Sequence, residues 1–466
     1  MIMNMKMETE MTTEGLRPRQ VANQLLLTFR AEADLLRVLG GWTPRVTENE
    51  ERLAFARDLG LRAEHGQLLL DRLHRLRTTP AMVPIPPQPW RDLVELIDAA
   101  PSPADLVAAV YEVVGTQLVE AYRQLVRDCD PLADEPTIRL IRRNLLPDHE
   151  ERLAWAGGFL SANPADPSYV ERVHGALAAA GGLVVRDDTV PDDRTDDRAQ
   201  DGTGFWPLSR PAPTEISLGS EYRVVEPGER PSYCPPFEEF GPRDVEILVN
   251  HHGLMPEIAS LAIIGSMLHE VHDRPWEFYR DFAIQCADEV RHIGLLVRRL
   301  EALGASTDTH PFPTWTFYDA VAYLPVEERT LVFNTIVEGN VVETLHDRVR
   351  ALDEAGNVDS AAVSDWISAD ESLHLHNGMR WLGEGDLTEQ EIDALLDRGQ
   401  ALLSLVMKQK DASVKVFDSE SEALNGADFY GPRRNPVAPI ARQLGGFSQT
   451  QIDRLVTSAS GRTIRR

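Results

Sequence analysis

The chain carries Asp-Glu-x-x-His twice, as Asp288-Glu289-Val290-Arg291-His292 and as Asp370-Glu371-Ser372-Leu373-His374. Each copy lies in a stretch whose apolar residues recur with the 3.6-residue period of an α-helix. A Glu and a His three positions later sit about 60° apart on one helix face, so both can reach a single metal ion. One such motif in a Glu-rich helical chain carries little weight. Two copies, each led by Asp, restrict the fold severely. Their helices must lie side by side around a shared cation, because burying that many carboxylates without one is prohibitively costly.

Helical periodicity dominates elsewhere too. Segments at about 17–39, 47–76, 104–127, 137–161 and 167–180 read as helices in the first half. Those at about 243–271, 276–303, 326–353, 358–383 and 388–410 do so in the second, and strands are scarce. Residues 186–202 are acidic and lack an apolar period, and the stretch that follows is rich in proline. The expected organisation is a disordered N-terminus at 1–14, a helical domain at 15–182, and an acidic, Pro-rich linker at 183–240. A second helical domain at 241–410 and a tail at 411–466 complete it.

A net charge of −27 leaves no basic face to neutralise phosphates, which argues against a nucleic-acid partner. No uninterrupted apolar run reaches the roughly 20 residues of a bilayer span, and the start of the chain lacks a signal-like apolar core. Three scattered cysteines make no disulfide framework. These features predict a cytoplasmic protein without a membrane partner.

Antiparallel helices bring residues to one level when these are equidistant from the turn. The turn at 272–275 reflects Glu289 onto Glu257, and the turn at 353–357 reflects Glu371 onto Glu338. Residues 304–325 between the hairpins are long enough for a crossover. The expected ligand set is therefore Glu257, Glu289, His292, Glu338, Glu371 and His374. Glu343, five residues beyond Glu338 and rotated by about 140°, competes with it as a ligand, or serves as an added catalytic carboxylate, or lies on the surface. His346 and His376 read as solvated or core-edge residues, and Cys286 as packing.

In ligand pattern, order and spacing, residues 250–385 resemble the ferritin-like di-iron carboxylate superfamily, of the non-haem oxygenase and oxidase type. The resemblance implies that Asp288 accepts a hydrogen bond from His374 and Asp370 one from His292, fixing each imidazole's tautomer. Arg291 matches the arginine often found before the histidine in such proteins, whereas Leu373 departs from it. The resemblance also implies a small-molecule substrate undergoing hydroxylation, N-oxygenation or oxidative cleavage, in a biosynthetic setting, with an external electron donor and a homodimeric state. Four carboxylates and two imidazoles suit two Fe ions, with Fe/Mn or Mn/Mn as rivals, and leave room for O₂ as co-substrate. Two other classes remain: a ferroxidase or iron-handling protein, and a non-catalytic helical binding protein.

The first half echoes the second. His65-Gly-Gln-Leu-Leu-Leu parallels His292-Ile-Gly-Leu-Leu-Val, which puts Arg62 at the position of Glu289. Reflection through Gly40-Gly41-Trp42-Thr43-Pro44 carries position 62 to Gln24. Asp148-His149-Glu150-Glu151-Arg152 offers His and Arg where Glu and His are wanted. The expectation is an all-α chain of two ferritin-like bundles in tandem, the first with a degenerate metal site. Glu32, Glu64, Glu112 and Glu120 leave a rearranged site open.

Overall fold

The computed structural model describes residues 15–78, 85–184, 204–224, 241–312 and 316–382, with scattered positions between 388 and 453. The expected N-terminal arm at 1–14 and the acidic run at 186–202 lie outside the described residues, as do most of the helix at 388–410 and most of the tail at 411–466. Regular structure among the described residues is helical, apart from an isolated bridge between Val224 and Phe312.

Contacts divide the chain into two compact units. One holds Met1–Leu35 and Glu64–Trp206, the other Leu36–Ala63 and Pro207–Arg466. Unlike the expected arrangement, residues 36–63 group with the second half rather than the first. Close backbone approach within that second unit explains why. A Cβ on Gly40 would lie 2.7 Å from the Gly265 carbonyl oxygen, and one on Gly60 would lie 2.5 Å from the Ala287 Cβ.

In the first unit, α1 (Pro18–Trp42) and α2 (Asn49–Arg75) contribute their outer parts, followed by α3 (Gln88–Asp98). Helix α4 consists of Pro103–Val107 and Thr116–Asp128 with a π-helical stretch, Ala108–Gly115, between them. Helix α5 likewise joins Glu135–Leu140 to Leu146–Ala162 through π-helical Ile141–Leu145, and α6 is Pro167–Ala179. Ser102 starts α4 by accepting the Asp105 amide at 3.1 Å, with Pro103 at the first helical position. Asp166 starts α6 in the same way, through the Ser168 amide at 2.9 Å. Leu93, Val110, Tyr122, Ile141 and Tyr169 are fully buried in this core.

In the second unit, α7 (Pro242–Glu270) and α8 (Trp276–Ala302) form one antiparallel hairpin. After a short α9 (Phe317–Val321), helix α10 begins at Val326–Thr330, passes through π-helical Leu331–Val337 and continues as Glu338–Glu354. It pairs with α11 (Val358–Trp381), which also packs on α8. By length and composition α7 could cross a bilayer, contrary to the expectation from uninterrupted runs, but 83% of its most apolar window is buried. A helix apolar on all sides is what the centre of such a unit requires.

Polar ties fix the bundle's ends. Arg299 donates to Glu246 at 2.8 Å and to Ser360 at 2.9 Å, joining α7, α8 and α11. Buried Arg329 donates to Ser266 at 2.6 Å and pairs with Glu270, holding the start of α10 against α7. Gly378 lets α11 press on the π-helical turn: a Cβ there would lie 2.6 Å from that of Asn334. Part of the expected linker is packed rather than free. The Ile216 amide donates to Asp319 at 3.0 Å, the Phe312 amide donates to Arg223 at 2.7 Å, and Tyr222 is buried.

Candidate metal centre

Four helices of the second unit each present ligand-type side chains at one level. Helix α7 brings Glu257, α8 brings Glu289 and His292, α10 brings Glu338, and α11 brings Glu371 and His374. All six are buried, with Glu289, His292 and His374 at 0% exposure. Glu338 is the first α-helical residue after the π-helical stretch, a kind of irregularity that is frequent at functional sites.

The donor atoms fall into two overlapping groups, each spanning no more than 4.8 Å. One is Glu257, Glu289, His292 and Glu371; the other is Glu289, Glu338, Glu371 and His374. Glu289 and Glu371 belong to both. Glu289 turns one oxygen to His292 Nδ1 (3.5 Å) and the other to His374 Nδ1 (3.4 Å). Glu371 does the same, at 3.6 Å and 2.7 Å. Each carboxylate can thus bridge two ions, while Glu257, 3.0 Å from His292 Nδ1, and Glu338 close the two ends.

The histidines are held from behind. His292 Nε2 lies 3.1 Å from Asp370, and His374 Nε2 lies 3.3 Å from Asp288. An ionised carboxylate only accepts, so Nε2 of each ring carries a proton, and Nδ1 faces the cluster as the nitrogen that can ligate once its own proton leaves. The structure thus pairs each Asp with the histidine of the opposite motif. It also shows a link that the sequence did not disclose. Arg291 donates to Asp288 at 2.5 Å and to Asp370 at 2.8 Å, so one guanidinium spans both and no second arginine is needed at Leu373.

The charges of the cluster demand cations. Burial, and then the neighbouring Glu371, push Glu289 well above the usual carboxylate range, and the same causes raise Glu338. Burial disfavours charge on His374, but Glu371 and Asp288 outweigh it and hold the imidazole up to about 10. His292 is likewise raised, against burial, by Glu257 and Asp370. Both oxygens of Glu289 and one of Glu338 are buried without a hydrogen-bond partner among the described residues. Such a cluster must take up protons or metal ions, and its oxygen-and-imidazole donors fit two divalent cations.

Other expected residues lie outside the cluster or outside the described residues. The side chain of Glu343 lies outside the described residues, although its backbone continues α10. His346 and His376 are exposed, and His346 Nδ1 is 3.1 Å from the Ser368 hydroxyl. Cys286 is fully buried, and burial, followed by Glu289, raises its thiol well above the usual range, consistent with packing rather than reactivity.

Residues 221–450 match a family model described as a protein of unknown function (DUF455). The match includes every member of the cluster and just under half of the chain. No curated protein and no solved structure matches.

The first unit holds a smaller candidate group, which includes Glu32, one of the residues that left a rearranged site open. Glu32 on α1, His65 on α2 and His149 on α5 come together, buried, with donor atoms within 4.8 Å. Gln24, the reflected position, instead donates to the Leu183 carbonyl at 2.7 Å. Helix α1 continues through Gly40 and Gly41 to Trp42, so the turn falls later than 40–44 and the reflected position moves toward Glu32.

Proposed function

We propose that this chain is an O₂-dependent non-haem di-iron oxygenase or oxidase acting on a small organic molecule, built on tandem ferritin-like bundles. The observation that carries the reading is the doubled bridge: Glu289 and Glu371 each offer one oxygen to each of two imidazoles that aspartates hold in the metal-binding tautomer. Two iron ions held there would supply activation of O₂. Glu257, Glu289, His292 and Glu371 would hold one, and Glu289, Glu338, Glu371 and His374 the other. Asp288 and Asp370 would keep the imidazoles oriented, and Arg291 would keep the aspartates in place. Four carboxylates with two neutral imidazoles balance two divalent ions. The external electron donor and the homodimeric state belong to the same proposal.

The test is anaerobic loading with Fe(II), followed by O₂ and candidate metabolites. The expected result is a coupled pair of irons by Mössbauer spectroscopy, absent in Glu289→Ala, with O₂ consumption tied to formation of an oxidised product. Iron uptake far above a few ions per chain, without such a product, would favour iron handling and refute the oxygenase reading.

A further inference from the structure

We propose that Glu32, His65 and His149 bind a single divalent transition-metal ion, a second centre belonging to the first unit alone. The three side chains come from three helices and are buried to 0%, 1% and 2% exposure. His65 Nε2 lies 2.9 Å from Asp148, a carboxylate that can only accept, so the proton sits there. Nδ1 then faces Glu32 Oε1 at 3.3 Å as the nitrogen free to ligate once deprotonated. His149 Nε2 reaches the same oxygen at 2.6 Å, and the Tyr122 hydroxyl closes the group at 3.5 Å. A metal ion there would take the place of the proton that otherwise lies between ring nitrogen and carboxylate, and two imidazoles and a carboxylate converge on that space.

The same construction recurs in the second unit, where Glu257 faces His292 Nδ1 and Asp370 backs its Nε2 at 3.0 and 3.1 Å. Asp148 precedes His149 just as Asp370 precedes Glu371. The differences explain why the first unit would hold one ion and not two. His149 stands where Glu371 bridges, and buried Arg152 stands where His374 would hold the second ion. The guanidinium acts electrostatically on both histidines, so a fixed positive charge replaces that second cation. Two imidazoles and one carboxylate are the donor set of Fe(II) facial triads and of three-ligand zinc sites.

The experiment uses the full chain, stripped with a chelator and reloaded with zinc, with bound metal counted after desalting. Wild type should hold three ions, and a Glu289→Ala/His374→Ala double variant should retain one. His149→Ala should hold one ion fewer than wild type. Glu32→Gln, which preserves shape if His149→Ala fails to fold, should do the same. Asp148→Asn should weaken the remaining site about 10–100-fold. The proposal is overturned if wild type holds no more ions than the double variant loses, or if folded Glu32→Gln holds as many as wild type. Loss of the paired site alone would sink the two-metal reading and leave this one standing.

Discussion

The two aspartates behind the histidines should not respond alike to the same substitution. Asp370 takes both of its donors, Arg291 at 2.8 Å and His292 Nε2 at 3.1 Å, on one oxygen, Oδ2. An asparagine there can turn its single carbonyl oxygen to both and lose only the charge. Asp288 divides its donors: Oδ1 receives Arg291 and Oδ2 receives His374 Nε2 at 3.3 Å. An asparagine at 288 must aim its NH₂ at one of two N–H groups. Lost partners behind a metal-bound histidine cost about 10–100-fold in affinity. Asp370→Asn should fall near the lower end, about 1.4 kcal/mol, because Asp370 is also 23% exposed and partly screened. Asp288→Asn, with its partner His374 fully buried, should fall near the upper end, about 2.7 kcal/mol. Removing the competing donor should recover part of that loss, so Asp288→Asn should cost less affinity in an Arg291→Ala background than in wild type. Chelator competition would measure the affinity of the site that Glu289→Ala abolishes, with circular dichroism to confirm folding. Equal losses at the two positions, or the same cost of Asp288→Asn with and without Arg291, would refute this account of the geometry.

Glu338→Ala should lose one ion of the pair, whereas Glu343→Ala should keep both; metal counting on the two variants decides between them. Metal affinity at the paired site should fall as pH falls, because protons held by Glu289, Glu338, His292 and His374 must leave before the ions bind, and chelator competition across pH 6 to 8 would show it. In the chelated protein the sign reverses. The raised His374 contributes stability that is complete below the ordinary histidine range and lost as pH rises through about 10, so the melting temperature should fall across that window. Gly378→Ala should destabilise by roughly 1–3 kcal/mol, seen as a lower denaturation midpoint, because its Cβ would meet backbone and Cβ of Asn334 inside 3.0 Å.

The doubled motif was legible because it is local. Glu289 with His292, and Glu371 with His374, share a helix face by spacing alone, whatever the rest of the chain does. Glu257 and Glu338 followed from the turns at 272–275 and 353–357, since a short turn between antiparallel helices leaves little choice of level. The cross-pairing of Asp288 with His374 and of Asp370 with His292 came from the resemblance, and the distances then placed each pair together. Arg291 spanning both aspartates, the π-helical turn before Glu338 and the packing of residues 204–224 needed the assembled structure. So did Glu32, His65 and His149, which no local spacing unites. One residue more or less in a turn rotates a helix face by about 100°, and sequence reading misplaced the first turn by several residues. Residues joined by one helix are fixed by its period; residues joined only across helices are fixed by how far each helix runs and what packs against it, which is decided in three dimensions.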